Sequence, residues 1–328
     1  MGGEGEFAFI ARALQPLTRG HSGAYGLKDD GAILAPPTDH KFAVTTDTLV
    51  EGVHFPVGED PAHVGWKALS VNVSDLVAMG AQPKAYLLNL VWPKGGFEAR
   101  ADGFVEGLRQ AQDEYGLVLA GGDTTSADGP WMVSITAFAE TLGGKTPRRG
   151  GAKAGDVLVA TNSIGAAWLG LQLHLGAIKV EDETAQRWFE RRFSRPRPPV
   201  EIAGSLREMA HAAIDVSDGL LADVGHILSA SGLAGTVELS DIPLDGLVQT
   251  WLDAQPDALA ARLKLATGGD DYQIAAAMPE SVVPVFREKC AEHGHAVRVI
   301  GRLERGEGLT VTLDGEPIDP GRLGFTHF

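Results

Sequence analysis

Residues 143–155 read GGKTPRRGGAKAG, a glycine-rich, basic stretch with few apolar side chains. Such a stretch cannot supply a core, and it marks a junction between two domains. With 328 residues the chain is too long for one ordinary core, so the expected division is 1–146 and 147–328.

Strand-like and helical runs alternate on both sides of the junction. Lys41–Thr46 predicts a strand running into a polar turn at Asp47-Thr48. Asp60-Pro61 starts a helix that reaches about Met79, where Gly80 stops it. A strand over Ala85–Val91, a helix over Phe97–Tyr115, a strand over Leu117–Ala120 ending on Gly121-Gly122-Asp123, and a strand over Trp131–Thr141 follow. The second half predicts strands at 156–161, 272–277, 297–303 and 309–313, and another ending at Asp215. Its helices fall near 166–175, 182–193, 199–211, 219–231 and 279–293. Mixed elements in both halves predict a two-domain α/β (α+β) protein.

The formal net charge is −15, which argues against nucleic acid or an anionic membrane as partner. No apolar run approaches a bilayer-spanning length. The acidic amino terminus is unlike a signal segment, and Cys290, the only cysteine, excludes an intrachain disulfide. A cytoplasmic location is expected.

Many of the acids recur beside glycines and hydroxyls at the ends of apolar segments: Lys28-Asp29-Asp30-Gly31, Thr45-Thr46-Asp47-Thr48, Val73-Ser74-Asp75, Gly121-Gly122-Asp123-Thr124 and Ile214-Asp215-Val216-Ser217-Asp218-Gly219. Singly, each reads as a turn or a cap. Together they are hard oxygen ligands with room for a closely approaching phosphate, as magnesium requires. Zinc is unsupported, because no short His/Cys cluster exists. Converging carboxylates would repel a nucleoside triphosphate unless cations lay between them. No Walker A loop is present: Gly144-Lys145-Thr146 matches the tail, but Ala139 stands where its first glycine belongs. Protein-kinase signatures are also absent.

In order, these segments resemble the thiamine-monophosphate kinase family. The matching stretches are GLKDDGA (26–32), TTDTLVEGVHF (45–55), KALSVNVSDLVAMGA (67–81), GGDTT (121–125), RGGAKAGD (149–156), AIDVSDGL (213–220), GGDDYQI (268–274) and GFTHF (324–328). The resemblance implies an aminoimidazole ribonucleotide synthetase-like fold. Its N-terminal domain would form a barrel across a homodimer, beside a C-terminal α/β domain. It implies ATP as co-substrate, several Mg2+ ions, and metal ligands Asp30, Thr45 or Thr46, Asp47, Asp75, Asp123, Asp215 and Asp218. Gly122, Asp123, Arg149 and Ser217 would hold the nucleotide, and His54, Asp270 and Phe325 the thiamine moiety. Lys28 departs from the family's G-x-G-D-D turn. Asp270 and Gln273 depart from G-G-E-D-Y-E.

The implied reaction is in-line transfer of the γ-phosphoryl group of ATP to thiamine monophosphate. The acceptor phosphate, with a second pKa near ~6, is already a nucleophile and needs no general base. Rival readings are another ATP-using enzyme of the superfamily, of cyclo-ligase type, or a nucleotide-binding module without catalysis. Cys290, Trp66 and Trp168 read as packing residues.

Overall fold

A computed structural model of the chain describes residues 9–22, 39–142 and 146–325. Contacts gather into two compact units, Met1–Leu76 with Ala81–Gly144, and Val77–Gly80 with Lys145–Phe328.

The first unit is built on strands β1 (His40–Val50), β2 (Gln82–Pro93), β3 (Val118–Ala127) and β4 (Met132–Leu142), with helices α1 (Pro61–Ala78) and α2 (Phe97–Tyr115). The sheet order is β1-β4-β2-β3. Only β2 and β3 run parallel, as the α2 crossover between them requires. Along β4 burial alternates without a break from Val133 to Thr141, the period of a strand with one wet face. Val133, Ile135, Leu88, Leu90 and Trp92 are buried on the covered face. Phe104 of α2 meets Trp92 edge-on at 5.8 Å, and Asp75 of α1 meets Thr45 of β1, so both helices lie on that face. The opposite face is left open by α1 and α2. There Val44 is 51% exposed, Phe42 packs against Phe138, and hydroxyls pair between Thr48 and Ser134 and between Thr136 and Thr46.

Asp60 caps α1 as expected, its Oδ1 accepting from the Ala62 N–H at 2.8 Å. Helices α1 and α2 cross at glycines. A Cβ on Gly65 would lie 2.2 Å from the Phe104 carbonyl oxygen, and one on Gly107 1.9 Å from that of Ala62.

Two expectations fail instructively. Asp47-Thr48 is no turn, because β1 pairs with β4 through to Val50. Likewise Gly121-Gly122-Asp123 lies inside β3, paired with Leu87–Asn89 of β2. The glycine is needed for close approach, since a Cβ on Gly122 would sit 1.8 Å from the Leu88 carbonyl oxygen.

In the second unit the strands are β5 (Val157–Thr161), β6 (Ala212–Val216), β7 (Leu233–Glu238), β8 (Gln273–Met278), β9 (Val297–Arg305), β10 (Gly308–Leu313) and β11 (Glu316–Ile318). Their order is β11-β10-β7-β9-β5-β8-β6. The helices are α3 (Ala166–His174), α4 (Glu183–Ser194), α5 (Ala203–Met209), α6 (Leu220–Ser231), α7 (Gly246–Asp253), α8 (Ala258–Thr267) and α9 (Val283–Ala291). Every residue of β5, β6 and β8 is buried, as in strands covered on both faces. Leu221, Val224 and Ile227 of α6 join Leu158, Ile214 and Ala275 in one core, and Leu169, Phe189, Leu252 and Leu265 form another. Cys290 is buried, as expected. Strand β7 and helices α7 and α8 were not legible in the sequence. They are short, and α7 and α8 are entered through Asp245 and Asp257, whose caps read as loop. Among the described residues no helix is long and apolar enough to cross a membrane.

Gly107→Val should force α1 and α2 apart, at a cost of about 1–3 kcal/mol or more. A thermal melt should show a drop of several degrees; an unchanged midpoint would mean that the close crossing carries no stability.

Candidate active site

Thr45 and Asp47, two residues apart on β1, share the covered face of the first sheet. Asp75 reaches them from the last turn of α1: Thr45 Oγ1 donates to Asp75 Oδ2 at 2.5 Å. The Asp47 carboxyl is pushed up to about 7, first by burial, then by the charge of Asp75 and a hydrogen bond with it. A carboxylate near a helix C-terminus also faces the negative end of the helix dipole. None of this favours the bare fold. Two carboxylates and a hydroxyl do form a donor set that fits a hard divalent cation, and such an ion would remove the repulsion.

Thr46 points the other way, its hydroxyl donating to the Ile135 carbonyl at 3.1 Å and accepting from Thr136. Asp123 pairs with Asn89, Asn89 with Ser134, and Ser134 with Thr48. The register therefore sets Asp123 on the open face with Thr46, three strands away from β1, a span of about 14 Å in a flat sheet. Gly122 precedes it in β3. The structure thus divides the expected ligands between two faces of one sheet. His54 lies in the turn after β1 and accepts the Val50 N–H on Nδ1 at 3.1 Å. The neutral ring therefore carries its proton on Nε2. Asp30 and Lys28 lie outside the described residues.

The second unit assembles Ser217, Asp218, Asp270 and Phe325. Asp215, at the end of β6, is 3% exposed and leads into the loop that carries Ser217 and Asp218. The Asp270 N–H donates to the Ser217 carbonyl, and the Phe325 N–H to the Asp218 carbonyl, both at 2.9 Å. Gly269 has no room for a side chain, since its Cβ would lie 2.3 Å from the Ser217 oxygen. Asp270 and Tyr272 both have positive φ, 72° and 49°, and the Tyr272 hydroxyl donates to Asp270 Oδ1 at 3.1 Å. Aspartate tolerates this left-handed backbone better than most residues, which gives a physical basis for the shorter acid at 270. Gln273 accepts from Thr161 and Asn162 while donating to the Arg197 and Asp271 carbonyls. An ionised glutamate has no donor for those two carbonyls.

Arg149 stands apart from this loop. Its carbonyl accepts from Ser231 at the far end of α6, about 18 Å of helix away from residue 220. Sequence reasoning missed Asp223 and left His226 unassigned. Ligating atoms of Asp218, Asp223 and His226 lie within 4.8 Å of one another. An acid in the first turn of a helix reads from sequence only as a complement to the dipole, so nothing flagged it.

The pH dependence of the Asp47–Asp75 pair has a definite sign. A folded-state pKa of about 7, against an ordinary aspartate value of 3.8, means that the native chain holds that proton more tightly than the unfolded one. Stability therefore falls as pH rises between those values, and the full penalty applies above about 7. In the presence of a chelator, Asp47→Asn should melt above the parent at pH 8, with the gap closing towards pH 4. A gap independent of pH would refute the repulsion.

The relatives of the chain agree with one another. Residues 28–141 match the N-terminal domain of AIR synthase related proteins, and residues 153–314 match the C-terminal domain. The thiamine-monophosphate kinase of Caulobacter vibrioides is 40% identical over 322 residues, covering 98% of this chain and 90% of that protein. The crystal structure of thiamine-monophosphate kinase from Stenotrophomonas maltophilia K279a superposes with a TM-score of 0.83 at 33% identity, over 94% of this chain and 97% of that one. A structure described as AaThiL complexed with AMPPCP and TMP gives a TM-score of 0.77 at 29% identity, covering 99% and 97%. With both domains matched and likeness running almost from end to end, this chain belongs to the thiamine-monophosphate kinase family.

Proposed function

We propose that the chain transfers the γ-phosphoryl group of ATP to the phosphate of thiamine monophosphate, giving thiamine diphosphate and ADP. The observation that carries this reading is the Asp47–Asp75–Thr45 cluster, found in a chain whose relatives bear that activity in their names. The cluster calls for a cation, and the reaction calls for one too, because donor and acceptor are both anionic.

Asp47, Asp75 and Thr45 would hold Mg2+ in the first unit, and Asp215 and Asp218 would do so in the second. When bound, Mg2+ supplies charge neutralisation on the phosphate oxygens. The chain's own residues do the rest by positioning. In the second unit Ser217 would present a hydroxyl to the nucleotide, while the guanidinium of Arg149, at the far end of α6, suits phosphate oxygens but lies apart from that hydroxyl; in the first, Gly122 would offer a close-lying backbone. His54, whose Nδ1 accepts from the Val50 N–H, would face the thiamine moiety. Thiamine is cationic, and an aromatic ring beside a carboxylate suits a cation. Phe325 and Asp270, whose backbone N–H groups both bind the 217–218 loop, would supply the ring and the carboxylate. No general base is required, since the acceptor phosphate is largely dianionic at neutral pH.

A homodimer built on the open face of the first sheet belongs to the same reading. Phe42, Val44 and Phe138 give that face an apolar component, and Thr46 and Asp123 lie on it.

The direct test is to incubate the protein with magnesium-ATP and thiamine monophosphate and look for thiamine diphosphate by mass. ADP release without that product would indicate a sister reaction, and tight ATP binding without turnover a sensor. Asp47→Asn and Asp218→Asn should each lower turnover by at least about 100-fold and raise the magnesium requirement. Unchanged activity would remove either residue from the site. Val44→Asp should shift the sedimentation profile from dimer to monomer; an unchanged profile would move the interface elsewhere.

A further inference from the structure

Three consecutive backbone N–H groups, those of Ser217, Asp218 and Gly219, converge on one atom, Oδ2 of Asp223, at 3.0, 3.2 and 3.2 Å. Asp223 is 2% exposed, and its own N–H donates to the Gly219 carbonyl at 3.0 Å. Successive amides converging at the start of a helix normally make a pocket for an external anion, such as phosphate. Here the chain's own carboxylate fills that pocket.

The arrangement has two chemical consequences. The amides of the loop are engaged and cannot cradle a phosphate as a P-loop does, so the loop offers its side chains, the Ser217 hydroxyl and the Asp218 carboxylate. The loop is also held from every side. Its carbonyls are taken by the N–H groups of Asp270 and Phe325, and Gly219, at φ +125°, has no room for a Cβ, which would lie 2.6 Å from the Thr267 carbonyl oxygen. In a capping box a side chain of the first turn reaches back to the N-cap N–H alone, whereas Asp223, the fourth residue of α6, takes the Gly219 amide and the two before it. Capping alone does not account for its reach back across the whole loop.

We propose that Asp223 is a positioning residue for phosphoryl transfer: an internal anion that occupies the amide pocket of residues 217–219 and so fixes Ser217 and Asp218 towards the nucleotide. This deepens the function proposed above and rests on it.

The parent, Asp223→Asn, Asp218→Asn and the double variant should be assayed with thiamine monophosphate over a range of magnesium and ATP concentrations, each below its melting temperature. A parent that makes no thiamine diphosphate would refute the function itself. With an active parent, Asp223→Asn should lower kcat and raise the half-saturating magnesium concentration, each by about 10–100-fold. In the Asp218→Asn background the same substitution should cost clearly less than in the parent, because Asp223 acts in part through Asp218. Unchanged kinetics in folded Asp223→Asn, or full additivity in the double variant, would overturn the proposal. If Asp223→Asn does not fold, hydrogen exchange on the parent decides: the amides of 217–219 should be as protected as those of β6, and exchange at the rate of a free loop would overturn it.

Discussion

Asp47 and Asp75 set like charges against one another in partly buried surroundings, and the second of them sits at the negative end of its own helix. Replacing either with an apolar residue of similar size would relieve the bare fold. The arrangement becomes sensible once the whole chain is considered, with a net charge of −15 and, in the reaction proposed for it, two anionic substrates to be joined. On that proposal protein and substrates carry charge of the same sign, cations would be the common counterion, and the repulsion between the two acids is what would favour binding one.

The second unit meets a different demand. Its site is a loop, and loops move unless their polar groups are all engaged. Residues 217–219 spend their amides on Asp223 and two of their carbonyls on Asp270 and Phe325. In the first unit, by contrast, a strand and a helix hold the acids, and rigidity comes with the secondary structure.

The sequence made the two-domain α/β class readable through the break at 143–155, and most strands and helices through their apolar periods. Strand β7 was hidden by its shortness, and α7 and α8 because their capping aspartates look like loop. The acidic segments stand out in the sequence, but as turns, which is not how all of them fold. Thr45–Thr48 and Gly121–Thr124 read as turns because Asp, Thr and Gly favour turns, yet pairing with β4 and β2 extends them as strands. That error concealed a real distinction, since period-two alternation sends Thr45 and Thr46 to opposite faces. Asp223 escaped notice because its role depends on three amides that only the folded loop brings together.

Asp270 and Asp271 are adjacent acids with opposite assignments. The left-handed backbone at 270 and again at 272 turns the chain so that Asp271 goes inward, accepting from the Gly165 and Ala167 N–H groups at the start of α3. Its neighbour stays with the Ser217 loop. The side chain proposed for recognition and the anchor of a core helix therefore hang from a single backbone twist. Remodelling this segment for a different substrate would unseat α3, so divergence in selectivity should be channelled to residues outside the 270–272 twist, whose replacement leaves that anchor in place.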